Sequence, residues 1–254
     1  MFYFETINHK KILKSDFIHN AEAFFTTRDI CICDKNLPPE GQIFDPNVSE
    51  QITENKKIIC NYLKLDENNL ISPIQTHSDN ILLAKINQAS YPDTDALILT
   101  EQNLGIFLNF ADCTPVILYD EKQNIGAIAH AGWRGTVQKI AVKTVQKMCE
   151  EYGSRPENIA AVIGPAIGLC CYNVGEEVLT RLSQTVSCFE GLSHYKDDKI
   201  FVDLKNINKQ QLLEIGVQKI DVCPYCTVCA NDYFFSYRKE KGTTKRHSAV
   251  LRLK

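Results

Sequence analysis

Short runs of apolar residues, bounded by turn residues, mark the middle of the chain as a series of β-strands. We predict strands at residues 81–85, 96–99, 105–109, 115–119 and 126–130. The connections between them are short. This spacing predicts that neighbouring strands pair as hairpins and not through helical crossovers.

The segment 133–151 has the periodicity of one amphipathic helix, with apolar residues recurring at three- and four-residue intervals. Lys139, Lys143 and Lys147 fall on the opposite face, which we interpret as a solvated surface. Gly153 is a typical helix stop.

Further elements flank this central region. We predict a surface excursion at 34–56, helices near 48–64, 175–184 and 203–215, and strands near 159–163, 219–222, 233–238 and 249–253. This mixture predicts an α/β fold with a mixed sheet, and one compact domain over residues 1–254.

Composition narrows the class of protein. The chain has 254 residues, 44% of them apolar, and a net charge of −3, so it has no basic excess to attract nucleic acid or anionic lipid. It has no apolar stretch long enough to span a bilayer and no signal-peptide pattern at its start. We therefore expect a soluble cytoplasmic protein without membrane or nucleic-acid partners. The oligomeric state is not predicted.

Cysteine is frequent and histidine is scarce. With 11 Cys and no secretion signal, reduced thiols acting as core residues or metal ligands are favoured over disulfides. The six His include no His-x-His pair, so the several copper centres of a multidomain blue-copper oxidase are excluded. One metal ion remains possible.

Three segments combine metal-type ligands with predicted strand ends: QTHSD with His77, ADCTP with Cys113, and AHAGWRG with His130. Imidazole and thiolate together suit zinc, and three protein ligands with an open fourth position are typical of catalytic zinc. The alternative is a set of hydrogen-bonded core histidines and a buried thiol.

An anion site is indicated beside these ligands. Gly132 and Gly135 flank Arg134 at the predicted helix start, where free amides and a bidentate guanidinium favour phosphate or carboxylate, although a structural ion pair is the alternative. Near the C-terminus, Tyr237 could stack on a base. Arg246 could hold an anion or belong to a solvated basic patch with its lysine and His247 neighbours.

Cys223, Cys226 and Cys229 form a Cys-x2-Cys-x2-Cys run. This spacing resembles part of an iron–sulfur motif without its fourth Cys. A small structural zinc or cluster site is possible, and buried thiols are the alternative.

The motifs QTHSD, ADCTPVILYD and AHAGWRGT, in this order, resemble the signature of the laccase-domain or "polyphenol oxidase" family. Its members are also called purine nucleoside phosphorylases, and some are called peptidoglycan editing factors. The similarity covers roughly residues 70–254, including IGPAIGLCCYNVG and FFSYR. It departs from the family pattern after FFTTR at 24–28, and at Asn173, where Glu is common.

The resemblance implies a layered α/β fold with a central mixed sheet, similar to the catalytic domain of cytotoxic necrotizing factor. It implies zinc on His77, Cys113 and His130, with copper as an alternative. The implied reactions are phosphorolysis of adenosine, inosine, guanosine and methylthioadenosine, and deamination of adenosine. Arg134 would hold phosphate, with Arg28 or Arg246 assisting.

Roles and rivals follow from the same residues. Cys113, His130 and Arg134 are the candidate catalytic residues, with Asp112 or Asp79 as proton carrier; an unmetallated Cys113 thiolate beside His130 would instead be a nucleophile. Rival functions are an editing hydrolase of peptidoglycan precursors, a copper-dependent phenol oxidase, and a non-enzymatic protein with a structural metal.

Overall fold

Two large β-sheets packed face to face form the centre of the molecule, known from a computed structural model that describes residues 1–34 and 46–254. In the described part of the chain the strands are β1 (Phe2–Ile7), β2 (Lys10–Ser15), β3 (Ala21–Thr26), β4 (Cys33–Asp34), β5 (Leu70–Ile71), β6 (Ile81–Leu83), β7 (Ala96–Leu99), β8 (Gly105–Phe110), β9 (Thr114–Asp120), β10 (Ile125–Ala131), β11 (Ile159–Ile163), β12 (Asn173–Val174), β13 (Ser193–Lys196), β14 (Lys199–Val202), β15 (Lys219–Val222) and β16 (Lys245–Leu253). The helices there are α1 (Pro46–Leu63), α2 (Trp133–Val137), α3 (Ile140–Tyr152), α4 (Glu176–Ser183) and α5 (Leu204–Glu214).

Both large sheets are mixed. The first has the order β1-β2-β3-β16-β8-β5, with β4 pairing at one end of β16. The second has the order β15-β11-β9-β10-β7-β6. Parallel pairs occur only at the ends of these sheets within the described residues, where β5 joins β8, β6 joins β7 and β15 joins β11. The strands β12, β14 and β13 form a small antiparallel sheet beside them.

Alternation along the strands of the second sheet explains the layering. Leu97 and Leu99 pack into the core between the sheets, while Ala96 and Ile98 pack on the helical side. Successive side chains of a strand point to opposite faces, so a sheet covered on both faces needs apolar residues throughout. The outer cover of this sheet includes residues of α3 and α5.

The first sheet is covered on its outer face by α1, whose Ile59 and Leu63 pack with Phe24 and Val250. The order of layers is therefore helix, sheet, sheet, helix, which confirms the mixed α/β class. Two large mixed sheets occupy the centre, where the sequence predicts one. The single domain and the similarity to cytotoxic necrotizing factor stay predictions.

The central strands match the predicted positions, but their predicted pairing is only partly right. β9 and β10 form a hairpin, as expected. The chain passes to the other sheet between β7 and β8, and returns between β8 and β9. The hairpin prediction is therefore wrong for these neighbours, because short links here cross the sandwich. It is also wrong for β6 and β7, which pair in parallel.

The predicted single helix at 133–151 is two helices. Lys139 adopts a left-handed conformation with φ of 58°, which separates α2 from α3. Side chains from α5 hold the end of α2. Asn208 donates to Thr136 Oγ1 at 2.9 Å, and Gln211 donates to the Thr136 carbonyl at 3.0 Å. These bonds satisfy groups at the break, so tertiary contacts override the local periodicity.

The predicted strand at 233–238 is wrong, because this segment forms turns. Its aromatic residues Phe234 and Phe235 are buried anchors of those turns. Residues 35–45 of the predicted excursion at 34–56 lie outside the described residues. Asp34 ends β4, and the remainder from Pro46 belongs to α1. Among the described residues, no helix has the length and apolar character needed to cross a bilayer.

Candidate active site

Two links between the sheets, β5 to β6 and β8 to β9, and the end of β10 bring together His77, Cys113 and His130. Their ligand atoms all lie within 4.8 Å of one another. His77 Nε2 lies 3.7 Å from Cys113 Sγ, and the two imidazole rings are 4.8 Å apart between centroids. Cys113 occupies the link between β8 and β9, whose Ala111–Asp112 peptide bond is cis.

The Asp95 carboxylate contacts His130 and the backbone on both sides of His77. This carboxylate is fully buried, and Oδ1 lies 2.6 Å from His130 Nδ1. The other oxygen, Oδ2, accepts hydrogen bonds from the backbone amides of Thr76 at 3.0 Å and Ser78 at 2.7 Å, which flank His77. Because Nδ1 of His130 is engaged, its Nε2 faces the cluster. The Asp95 carboxylate therefore orients the His130 ring and holds the loop that carries His77.

The charges in this cluster support one another. Burial alone would raise the pKa of Asp95, but His130 and the Thr76 and Ser78 groups hold it well below its usual range. Burial favours the neutral Cys113 thiol, but the positive charge of His130 and the hydrogen bonds from the two imidazoles together have the larger effect. The pKa of Cys113 is therefore lower than that of a free thiol. Burial lowers the pKa of His130, and the Cys113 and Asp95 charges raise it above its ordinary value. Without metal, the site favours a thiolate–imidazolium pair.

Gly132 permits the close approach of these ligands. A Cβ atom at this position would lie 2.8 Å from Cys113 Sγ and 3.1 Å from His77 Cδ2. Any side chain would therefore displace a ligand. This contact gives the glycine before Trp133 a physical role at the site.

The cluster lies in a cavity of about 370 Å³. Polar and aromatic groups share its wall: Asn109, Asp112, Trp133, Arg134, Tyr172, Tyr237, Arg238 and Arg246. Three guanidinium groups make this wall suitable for an anionic or strongly polar ligand.

The predicted binding residues separate into two groups. Arg134, Tyr237 and Arg246 line the cavity. Arg246 is 8% exposed, so it does not belong to a solvated basic patch. Arg28 is not in the cavity wall among the described residues; its guanidinium donates to Glu240 Oε1 at 2.8 Å and stacks over Phe235. The structure therefore gives no support to Arg28 as a direct substrate contact.

The predicted proton carriers also separate. Asp79 pairs with Lys143 at the surface and does not line the cavity. Asp112 does line it. Its carboxylate accepts hydrogen bonds from Thr227 Oγ1 at 2.6 Å and from the Arg238 amide at 2.8 Å. Since residues 111–113 are not part of a strand, regular strand alternation does not turn Asp112 away from the cavity.

Several site residues were not predicted. Arg238 lines the cavity, with its guanidinium held by Asn173 and near the Tyr172 ring. Asp95 supports His130 because β7 pairs with β10, and sequence spacing does not reveal this pairing. The anion site is predicted at the start of one long helix. The helix found there is the five-residue α2, which contains Arg134.

The predicted cysteine set is also different from the observed one. Cys223 is buried in the core between the sheets. Cys226 and Cys229 instead lie with Cys170 and Cys171, whose sulfur atoms all lie within 4.8 Å of one another.

Comparison with known proteins identifies relatives and a family. A purine nucleoside phosphorylase of Bacteroides thetaiotaomicron is 33% identical over 204 residues, covering 75% of this chain and 76% of that protein. The adenosine deaminase RL5 of an unknown prokaryotic organism is 28% identical and covers 87% of this chain and 90% of its own. The crystal structure of Bacillus licheniformis hypothetical protein YfiH superposes with a TM-score of 0.87 at 30% identity, covering 99% of both chains. Residues 41–254 match a family described as multi-copper polyphenol oxidoreductase laccase, and the chain belongs to this family.

Proposed function

We propose that this protein is a cytoplasmic, zinc-dependent purine nucleoside enzyme. It cleaves adenosine, inosine, guanosine and methylthioadenosine with phosphate, and it deaminates adenosine. The observation that carries this proposal is the His77, Cys113 and His130 cluster inside an arginine-rich cavity. The relatives named purine nucleoside phosphorylase and adenosine deaminase support it.

The three side chains fit a zinc ion. Two tetrahedral ligands, a nitrogen at ~2.0–2.1 Å and a sulfur at ~2.3 Å from zinc, stand about 3.6 Å apart. His77 Nε2 and Cys113 Sγ are 3.7 Å apart. Asp95 supplies the carboxylate that zinc-bound histidines usually have behind them. When bound, zinc supplies Lewis acidity, and three protein ligands leave a fourth position open.

The cavity suits a nucleoside. Its volume of about 370 Å³ lies within the range of small-molecule sites. Tyr172 and Trp133 give apolar wall, and Tyr237, which is 56% exposed, gives a ring on which a purine can stack. Aromatic walls with a few polar groups are typical of sites that bind flat heterocycles.

Arginine and aspartate side chains supply the groups that phosphorolysis requires. A phosphate oxygen forms a bond to the sugar C1′ while the C1′–N9 bond breaks, and the leaving purine takes the electron pair. Arg134 and Arg246 offer guanidinium groups to hold the phosphate. Asp112, which lines the cavity and accepts a hydrogen bond from Thr227, is our candidate to carry a proton to or from the base.

A nucleoside panel tests this proposal. Adenosine, inosine, guanosine and methylthioadenosine are incubated with and without phosphate on protein of known metal content, and products are separated by chromatography. We expect free base only when phosphate is present, and inosine from adenosine without phosphate. Neither product from any nucleoside, with metal bound, would reject the proposal.

A second function, an editing hydrolase of peptidoglycan precursors, is favoured by one observation. Asp95, His130 and Cys113 form a connected carboxylate, imidazole and thiol series, the arrangement of a cysteine hydrolase. This function predicts that metal-free protein hydrolyses muropeptide precursors and leaves nucleosides intact. The same assay panel with metal-free protein separates the two functions.

A further inference from the structure

Four cysteines form a second cluster, outside the cavity wall. Cys170 and Cys171 follow the loop after β11, and Cys226 and Cys229 lie on a turn after β15. All four sulfur atoms lie within 4.8 Å of one another. Cys229 Sγ is 3.5 Å from Cys171 Sγ and 3.7 Å from Cys170 Sγ.

Backbone hydrogen bonds hold the two loops against each other. Ala166 pairs with Cys226 in a parallel bridge, and the Thr227 amide donates to the Ala166 carbonyl at 3.0 Å. Gly168 donates its amide to Cys226 Sγ at 3.2 Å. A Cβ atom on Gly168 would lie 3.2 Å from that of Cys226, so glycine permits the contact. The backbone contacts between the two loops therefore bring the four sulfur atoms together.

We propose that Cys170, Cys171, Cys226 and Cys229 bind one zinc ion as a structural site, separate from the His77, Cys113 and His130 cluster. Four sulfur ligands and no open position are typical of structural zinc. The proposal does not depend on which reaction the protein catalyses.

The spacing of the sulfur atoms favours a single ion. Four sulfurs at ~2.3 Å from one zinc stand about 3.8 Å apart, which the contacts to Cys229 approach. An iron–sulfur cluster places several iron and sulfide atoms between its thiolates and requires them to stand further apart. A disulfide would use two of the four sulfurs and leave the other two without a role.

Access and support also fit a metal. Cys226 is buried, Cys171 is half-buried, and Cys170 and Cys229 are exposed, so an ion can enter from solvent. The amide donated to the Cys226 sulfur by Gly168 is the kind of outer contact that stabilises a metal-bound thiolate. The described residues offer no carboxylate or imidazole within this group, and soft thiolates alone select zinc over calcium or magnesium.

The ion would brace one wall of the cavity. The same loop carries Ile167 and Tyr172, which line the cavity. The Ile167 amide donates to the Asp112 carbonyl at 3.0 Å, and Thr227, next to Cys226, holds the Asp112 carboxylate. Joining the two loops through one ion therefore fixes Asp112 from two sides without touching His77 or His130.

The test is the zinc content of the full chain, purified under reducing conditions and measured by mass spectrometry of the metal. We expect two zinc ions in the wild type, one in Cys113→Ala, one in Cys229→Ser, and none in the double variant. Cys188→Ser, which removes an exposed cysteine outside both clusters, should keep both ions. A Cys229→Ser protein that is folded by circular dichroism and keeps the wild-type zinc content would overturn the proposal.

A second measurement covers the case in which Cys229→Ser does not fold. X-ray absorption on the Cys113→Ala protein, whose four-cysteine cluster is intact, should show zinc with sulfur neighbours only, at ~2.3 Å. The four-cysteine zinc site would be rejected by nitrogen neighbours around the zinc or by a Cys113→Ala protein without zinc. A disulfide within the cluster of protein kept under reducing conditions would also reject it. If Cys113→Ala keeps all the zinc of the wild type, the second site stands and the zinc of the proposed catalytic site fails.

Discussion

The two thiol-containing clusters of this protein differ in position, donor set and surroundings. His77, Cys113 and His130 come from three separate segments that meet at a cavity, and Asp95 lies buried behind them. The four-cysteine cluster joins two turns, with two of its sulfurs at the surface. An incomplete ligand set facing a cavity suits chemistry, and a complete set on surface turns suits structure. Metal-type residues alone therefore do not indicate function; the surroundings decide.

Removing a ligand of the first cluster gives the largest effect. We expect Cys113→Ala and His77→Ala each to lose the metal of this site and to lower kcat/KM by more than the ~10–100-fold that an outer-shell change costs. Both proteins should stay folded, because the buried residues of the core between the sheets are others, and Cys113 only packs against that core. Metal analysis and nucleoside assays measure this, with Cys149→Ala, a half-buried cysteine outside both clusters, as control. Full turnover by metal-free Cys113→Ala would end the metal proposal.

Asp95→Asn tests whether the buried carboxylate behind His130, which has no counterpart among the described residues of the four-cysteine cluster, supports metal binding and activity. Losing the charge behind His130 and the acceptor for the Ser78 amide should lower metal affinity or activity by about 10–100-fold. Metal titration and kcat/KM measure it. Asp93→Asn changes a carboxylate that bonds Thr76 and Asn80 in the same turn, so it is the matched control. Equal losses in both variants would assign the effect to the turn and not to His130.

The sequence allowed much of the first cluster to be predicted and little of the second. His77, Cys113 and His130 each stand beside a strand whose local pattern is readable. Cys170 and Cys229 are 59 residues apart in the chain, and only the pairing of two loops brings them together.

The fold shows the same limit. Local periodicity predicts β7 to β10 but does not reveal which sheet each strand joins, so the pairing prediction is only partly right. No strand is predicted before residue 81. β1 at the sheet edge and its neighbour β2 mix exposed, half-buried and buried positions, which hides their alternation.

Arg134→Ala tests the cavity that accompanies the first cluster. Loss of a charged bidentate contact costs about 1.5–3 kcal/mol, so the KM for phosphate should rise at least ~10-fold while adenosine deamination changes less. Arg181→Ala is the matched control, since its guanidinium also lies over the Trp133 ring but does not line the cavity. Equal losses in the two reactions would reject the phosphate role of Arg134.

Cys229→Ser tests the second cluster by its effect on stability. We expect a lower unfolding temperature, since an ion bound only to the folded chain stabilises it, and a smaller loss of activity than at Cys113. Thermal unfolding followed by circular dichroism, with and without a chelator, measures this. The chelator should destabilise Cys113→Ala but have little effect on Cys113→Ala combined with Cys229→Ser. A loss of activity as large as that of Cys113→Ala, at unchanged stability, would contradict the structural role.

The buried imidazoles of His130 and His247 differ in their partners. This difference leads to the smallest effect that we expect, a change in how stability depends on pH. His130 has Asp95 as partner. Among the described residues, His247 has no hydrogen-bond partner at Nδ1, and its Nε2 lies 3.4 Å from the Pro165 carbonyl. Burial, with the Arg246 and Arg28 charges, lowers the pKa of His247 to about 3.

Unfolded histidine has a pKa of about 6.5, so between about pH 6.5 and 3 the unfolded chain binds a proton that the folded chain does not. This group therefore lowers the free energy of unfolding as the pH falls through that window, by at most ~1.4 kcal/mol per pH unit. His247→Gln removes the titration and keeps a donor for Pro165, so its unfolding free energy should fall less steeply with acid. Denaturant unfolding at several pH values measures the slope, with the exposed His194→Gln as control. An unchanged slope in His247→Gln would mean that His247 accepts its proton in the folded chain as easily as in the unfolded one, against its complete burial beside Phe234.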